Sequence, residues 1–573
     1  MRQIAAILLL AIGSVVAAAQ ETKSPLRFVP SQAEWVIQVD RPGELIDTVE
    51  KHELFKEAQK LTGVRDLYDT TNFQQLFQLV GYFEKELGKD RRAIVDDLGA
   101  GGLVIAAKLT PPGGAMVVLQ GRDAALMRRF VDLALDVIEK ELERQESKDK
   151  IVRKKYEGID VGHVGPKLSF AVHEGALIVA SESKILKAAL DTHLKKPGHT
   201  TIAEFPNFDE ARKKAPAKAL AWTWLNFEAF RKHQPFQDGL NAASLDPLQT
   251  LLFGGLTDLF KRTPYLSASI TREGPDFRVS AYMPRGSDGM APLKHMLIPT
   301  DGKATLPPLR VPRVLASTSY YLDLGQWWDK RVEILGEKNA KELDEGEANI
   351  AKALGGLKIG KVLQNAGPHH RVVVAQQKEE QYKIRPGTPI PAFALVVDMR
   401  DPNFAKDMNS IFRGGALVAT VQFSLILREE EYKDCEIVSY FFSETRKVEG
   451  DPDNVRFNFS PSYVTVGDYF VMSSTQELAR DLVDALKAEK KQPFSKTTMQ
   501  TQLFASGLGD LIRANEDATL TQLILGQALQ PKTAKAELQA IIRLIESLGT
   551  LRVDSQYGAN DYRLDVLWQV KKK

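Results

Sequence analysis

Apolar positions along the chain recur with two periods. Alternation over 168–173 (LSFAVH), 267–271 and 277–282 predicts strands with one face buried. Stretches near 42–61, 123–150 and 183–194 carry apolar residues at helical spacing and predict amphipathic helices. In the second of these, Leu126, Phe130, Leu133 and Val137 form one stripe behind Asp123, a residue type that caps helix N-termini. Strand clusters separated by helices, without regular βαβ alternation, predict an α+β fold with mainly antiparallel sheets packed by amphipathic helices.

The same pattern is written twice. Residues 116–123, MVVLQGRD, align without gaps on 394–401, ALVVDMRD; each is an apolar strand ending in Arg-Asp and leading into a helix. GALIVASESKILKAALDTHL, from Gly175, aligns on GDYFVMSSTQELARDLVDAL, from Gly467. In each, a turn glycine precedes a strand, a Ser/Thr cluster and a helix, with Leu186, Leu190 and Leu194 in one and Leu478, Leu482 and Leu486 in the other. Weaker matches pair Trp35 to Asp40 with Ser319 to Leu324, Tyr156 with Tyr432, and Phe277-Arg278-Val279 with Tyr562-Arg563-Leu564. The separation rises from 276 residues at the tyrosines to 292 at the glycines, which places an insertion within 433–466, where EGDPDN reads as a loop. Two tandem diverged copies are expected, over 26–285 and 309–573, joined by a Pro/Gly-rich linker at 286–308. A cleft at the interface of the copies is the expected ligand location.

The first segment is an address. Met1-Arg2, the apolar run Ile4 to Val16 and Ala17-Ala18-Ala19 read as a cleavable signal peptide over 1–19. No later stretch holds 18 consecutive apolar residues, so the expected product is exported, soluble, periplasmic or extracellular, with no stable membrane span after cleavage.

Composition narrows the chemistry. The chain has 573 residues, 43% hydrophobic and 26% charged, an ordinary globular balance with enough apolar residues for more than one core. Lys and Arg number 76 against 74 Asp and Glu, so no nucleic-acid partner is expected. The single cysteine, Cys435, excludes an internal disulfide, a Cys-rich zinc site and an iron–sulfur cluster.

FVPSQAEWVIQVDRPGELID from Phe28, the glycine-led strand LGAGGLVIAAKL from Leu98 and GALIVASESKILKAAL from Gly175 together resemble a large family of uncharacterised exported proteins typical of planctomycete-type bacteria. The resemblance spans most of 26–285 and, more faintly, 309–570. It implies export and a duplicated α+β domain of unknown function, and lends no catalytic residue.

Local motifs for catalysis are missing. His369-His370 is the only adjacent histidine pair, and neighbours in a strand point to opposite faces. His52, His163, His173, His193, His199, His233 and His295 form no HxH, HxxxH or HExxH pattern. Gly99-Ala100-Gly101-Gly102 leads into LVIAA, a strand, where a phosphate loop needs a helix N-terminus. No GxSxG or SxxK occurs. Cys435 reads as a strand start. The basic run 148–155 (KDKIVRKK) reads as a solvated helix end and Lys571 to Lys573 as a tail, and 428–431 (REEE) lacks the pattern of a calcium loop. Trp222 and Trp224 share a strand face and read as core, with Phe227 and Phe230 nearby.

The inventory names no catalytic, cofactor-binding or metal residue and no cofactor. It points to an exported, non-catalytic binding or structural protein with a protein or small-ligand partner in the cell envelope. The competing readings are an exported hydrolase whose site assembles only in three dimensions, and an apolar-ligand or lipid carrier.

Overall fold

Every strand pairing within each unit is antiparallel, as short turns between neighbouring strands permit. The computed structural model describes residues 23–571 apart from 244–245, 354, 379–380 and 490–491; the export signal expected over 1–19 lies outside the described residues. The chain forms two compact units. The first holds residues up to Gln234 with Thr263–Met283, and the second holds Pro235–Arg262 with Pro284 onward.

The first unit contains β1 (Trp35–Val39), β2 (Gly102–Lys108), β3 (Gly114–Gln120), β4 (Ile151–Tyr156), β5 (Ile159–Val164), β6 (Leu168–His173), β7 (Ala176–Ala180), β8 (Ala221–Asn226), β9 (Tyr265–Glu273) and β10 (Asp276–Pro284). They pair in the order β4-β5-β6-β7-β3-β2-β1-β8-β9-β10. Helix α1 (Arg91–Leu98) precedes β2, α2 (Ala124–Arg144) follows β3 and α3 (Ser183–His193) follows β7. Because strand side chains alternate, Val118, Ile178 and Ala180 enter one core with Leu186, Ala189 and Leu190 of α3. Leu119 and Leu177 enter the opposite core with Met127, Phe130, Val131 and Ile138 of α2. Each such large apolar side chain contributes roughly 1.5–3 kcal/mol when withdrawn from water. Asp123 accepts from the backbone N–H of Ala125 (2.9 Å) and Leu126 (3.1 Å), which is the cap the sequence predicts.

The second unit contains β11 (Val314–Tyr321), β12 (Ala366–Ala375), β13 (Ala392–Met399), β14 (Leu425–Tyr432), β15 (Cys435–Phe442), β16 (Ser462–Val466), β17 (Tyr469–Ser473), β18 (Met499–Phe504), β19 (Thr550–Tyr557) and β20 (Asp561–Gln569). Their order is β14-β15-β16-β17-β13-β12-β11-β18-β19-β20. Helix α4 (Ile359–Asn365) precedes β12, α5 (Asn403–Phe423) follows β13 and α6 (Gln476–Ala488) follows β17. Val396 and Val471 pack with Leu478, Leu482 and Val483 of α6. Val397 and Phe470 pack on the opposite face with Phe404, Met408 and Ile411 of α5. Met290, Leu293 and Met296, from the proline-rich stretch 286–308, are buried against Trp327 and Trp328.

Three sequence expectations are corrected. The helix expected over 123–150 stops at Arg144, and the basic run is strand β4, because Ile151 to Tyr156 pair with Ile159 to Val164 across a tight turn. The helix expected over 42–61 is two, Pro42–Glu50 and Glu53–Ala58, with His52 accepting from the Leu54 N–H at the break. Leu194 lies beyond the end of α3 and is exposed, so its stripe ends at Leu190.

Candidate functional site

In the first unit, β6 and β7 are joined by the two-residue turn Glu174-Gly175, both with positive φ (48° and 76°), the geometry that matches strand twist in a tight hairpin. The turn is fixed from beneath. Gly121 N–H donates to the Gly175 carbonyl (2.9 Å), and Gln120 Nε2 donates to the Glu174 carbonyl (3.2 Å). A Cβ on Gly175 would lie 3.1 Å from the Gly121 carbonyl oxygen, so a side chain there would disturb the docking.

That docking brings His173, at the end of β6, and His193, at the end of α3, together with centroids 5.1 Å apart in an edge arrangement. The two imidazoles and Glu174 present one ligand atom each, all within 4.8 Å of one another. Phe28 lies 4.5 Å from the His193 ring, and the Arg27 guanidinium covers Phe28 at 4.4 Å. Glu174 is held by Lys23 (2.8 Å), with Arg27 Nη2 at 3.8 Å and His193 Nε2 at 3.8 Å. Burial pushes both histidines below their usual range, and the cations Arg27 and Lys23 act in the same direction against the opposing pull of Glu174. Local spacing could not reveal this cluster, because its members lie on a hairpin turn and a helix end twenty positions apart.

Also in this unit, His163 Nδ1 is 2.9 Å from Ser169 Oγ and 3.1 Å from Ser183 Oγ. A serine–histidine contact is half of a nucleophilic apparatus, but no carboxylate is bonded to His163 among the described residues to orient it. A cleft of about 260 Å³ opens between α2 and strands β4 to β6. Its floor is Val131, Leu135, Phe170 and Val172. Its rim carries two ion pairs, Arg153–Asp132 (3.1 Å) and Arg128–Asp160 (3.7 Å).

In the second unit, the histidine pair lies in β12. His369 Nδ1 is 2.9 Å from Asp398 and Nε2 is 3.0 Å from the Lys303 carbonyl oxygen. Both ring nitrogens face acceptors, so the ring is held as the doubly protonated donor. Burial opposes that charge, but the Asp398 and Lys303 contacts outweigh it and His369 titrates above its usual value. No position on this ring is free to take a proton from a nucleophile. His370 points to the other face, 2.9 Å from the Leu322 carbonyl oxygen and stacked on Tyr320, and burial pushes it below its usual value. Arg371 is 2% exposed and donates two bonds of 2.9 Å to Glu489. A cleft of about 280 Å³ near Gln376, Gln377, Tyr382 and Asn458 is lined by amides, Lys378 and Arg385, with no histidine, cysteine or carboxylate in its lining among the described residues.

The remaining residues singled out by sequence take structural places. Gly102 begins β2, Cys435 begins β15 and is buried, and 428–431 lies in β14. Trp222 and Trp224 are both buried, each meeting Phe208 edge-on, with Phe227 buried beside them. Among the described residues, no helix is long and apolar enough to cross a membrane.

No family model matches the chain. No curated protein matches it. Two crystal forms of TP0453, forms III and I, are similar at 12% and 10% identity with a TM-score of 0.23 each, covering 46% of this chain and 80% and 79% of that one. A likeness of that size carries no argument.

Proposed function

We propose that this is an exported, non-catalytic binding protein built from two diverged tandem copies of one unit. The observation that carries the binding reading is the separation of clefts from reactive groups. The clefts are lined by apolar floors, amides and paired charges, whereas the serine–histidine and histidine–aspartate contacts lie elsewhere and each lacks its third member. In the first unit the cleft offers an apolar floor with the guanidinium groups of Arg128 and Arg153 at its rim, which suits a small ligand with an anionic head and an apolar body.

Duplication is supported by the same ten-strand order in both units and by contacts repeated at equivalent places. Arg122 N–H donates to the Asp97 carbonyl, and its guanidinium to that of Asp96; Arg400 does the same to Asn365 and Gln364. Ser181 Oγ accepts from Ala115 N–H, as Ser474 Oγ does from Phe393 N–H. The ladders pair Val118 with Ile178 and Val396 with Val471, which shifts the glycine match by one residue: Gly175 is equivalent to Asp468. Glycine is second in one turn, Glu174-Gly175, and first in the other, Gly467-Asp468.

The test uses the mature chain and anilinonaphthalene sulfonate, an anionic apolar dye. A saturable fluorescence rise is expected, weakened by Arg153→Glu and by Val131→Trp, which fills the floor, with no turnover of chromogenic ester, phosphate or glycoside substrates. Unsaturable fluorescence, indifference to both substitutions, or turnover of any of these substrates would overturn the reading. Export is tested by N-terminal sequencing of the protein from its native envelope, which is expected to begin at Gln20. The carrier reading is favoured by an apolar crevice under the same helix, lined by Ile138, Leu168 and Leu177, but its volume of about 20 Å³ holds no acyl chain unless α2 moves.

A further inference from the structure

We propose that His173, Glu174 and His193 form a binding site for one divalent transition-metal ion of the zinc or copper class. The inference goes beyond the ligand-binding reading and uses none of the cleft residues.

Three observations carry it. First, two half-buried imidazoles and a carboxylate converge from a hairpin turn and a helix end, with their ligand atoms within 4.8 Å of one another. Small side-chain rotations bring such a set to the 2.0–2.2 Å bonds of a metal centre. Second, neither imidazole makes a hydrogen bond with any described residue; their recorded neighbours are rings and a carboxylate oxygen at 3.8 Å. Both rings can therefore take an ion without breaking a hydrogen bond to a protein partner. Third, the supports are rigid: Gln120 and the Gly121 N–H fix the turn, and Phe28 packs on the His193 ring.

The donor set selects the ion. Two nitrogens and one oxygen suit zinc or copper, whereas calcium and magnesium take oxygen ligands. Three protein ligands leave a fourth position for water. Two cations face the site. Lys23, 62% exposed, occupies Glu174 Oε2 and must swing away, while Arg27 is anchored on the Ser24 carbonyl (2.8 Å) and stays. Lys23 is therefore a competitor for the carboxylate.

The site belongs to the first unit alone. Ladder-equivalent positions in the second are Val466, Gly467 and Leu486, none of them a metal ligand. One ion per chain is the predicted stoichiometry.

The chelator-treated mature chain would be titrated with zinc chloride by calorimetry and with cobalt(II) by visible absorption. One equivalent is expected to bind, weakened at least about ten-fold by His173→Ala, His193→Ala or Glu174→Gln. Lys23→Ala is expected to tighten binding, and His369→Gln to leave it unchanged. Circular dichroism checks that each variant folds; should His193→Ala fail to fold, Glu174→Gln and Lys23→Ala carry the test in opposite directions. Absence of stoichiometric binding, or binding indifferent to the histidine and glutamate substitutions, would overturn the assignment.

Discussion

The Tyr156 hydroxyl donates to the Asp191 carboxylate at 2.7 Å, tying the β4–β5 turn to α3. In the second unit Tyr432 donates to Asp484 at 3.2 Å, tying the β14–β15 turn to α6. Each tyrosine lies opposite a buried apolar residue, Ile159 and Cys435, across its turn. In both units the same device pins an outer hairpin to a helix packed on the sheet.

Removing the hydroxyl tests it. Tyr156→Phe is expected to cost about 1 kcal/mol, and Tyr432→Phe less, because Asp191 is buried and Asp484 is not. Burial works to raise the Asp191 carboxyl, but the bonds from Lys196 and Tyr156 outweigh it and hold its pKa below the usual value. A depressed carboxyl contributes stability above its unfolded pKa, and that contribution is lost as pH falls through the folded value. Tyr156→Phe should therefore unfold at higher pH than the wild type in an acid titration followed by circular dichroism. An unchanged acid midpoint would count against the account.

His369 has the opposite sign. Its folded pKa is raised, so its contribution is fully present below about 6.5, the unfolded value, and disappears as pH rises through the folded value. Thermal melts from pH 5 upward should show a falling difference between the wild type and His369→Gln as pH increases. The His369 ring proton, followed by NMR, should titrate above an ordinary histidine, and Asp398→Asn should bring it down.

Asp96, at the end of α1, is pushed up to about 6 by burial, against the pull of Arg92 and Arg122. A carboxyl raised in this way stabilises fully below its unfolded pKa and loses that contribution as pH climbs toward 6. Asp96→Asn should consequently raise stability by about 1 kcal/mol at pH 7 and by little near pH 4. Differential scanning calorimetry at the two pH values checks this; a stabilisation equal at both would point to some other cause.

Arg371 is buried and its partner Glu489 is 20% exposed, so the two ends of this pair are not equivalent. Glu489→Gln leaves a guanidinium that is 2% exposed without its counter-charge, with an expected cost of about 3–5 kcal/mol. The double substitution Arg371→Met with Glu489→Leu should recover most of that loss, since no buried charge is stranded. Denaturant unfolding of the two proteins gives the comparison, and a double variant no better than Glu489→Gln would refute it.

Much of the fold is legible in sequence because its signals are local. Alternation at 168–173 and 277–282 gives β6 and β10, Asp123 caps α2, and the leucines of α6 face the core, since each depends on a period of two or 3.6 or on one capping side chain. The basic run before Tyr156 is misread as a helix end because its charges conceal a ladder partner that begins directly after a two-residue turn. Under the proposed duplication, the one-residue shift between Gly175 and Gly467 is invisible to letters alone, as either turn position accepts glycine, and only cross-strand pairing gives the register. Tertiary structure alone decides what the histidines do. His369 becomes a two-sided donor because Lys303 and Asp398 lie against its edges, and His173 meets His193 because a hairpin turn docks beside the last turn of a helix. Period and capping act within a few residues along the chain, whereas convergence of polar groups depends on packing between segments that the linear order holds apart.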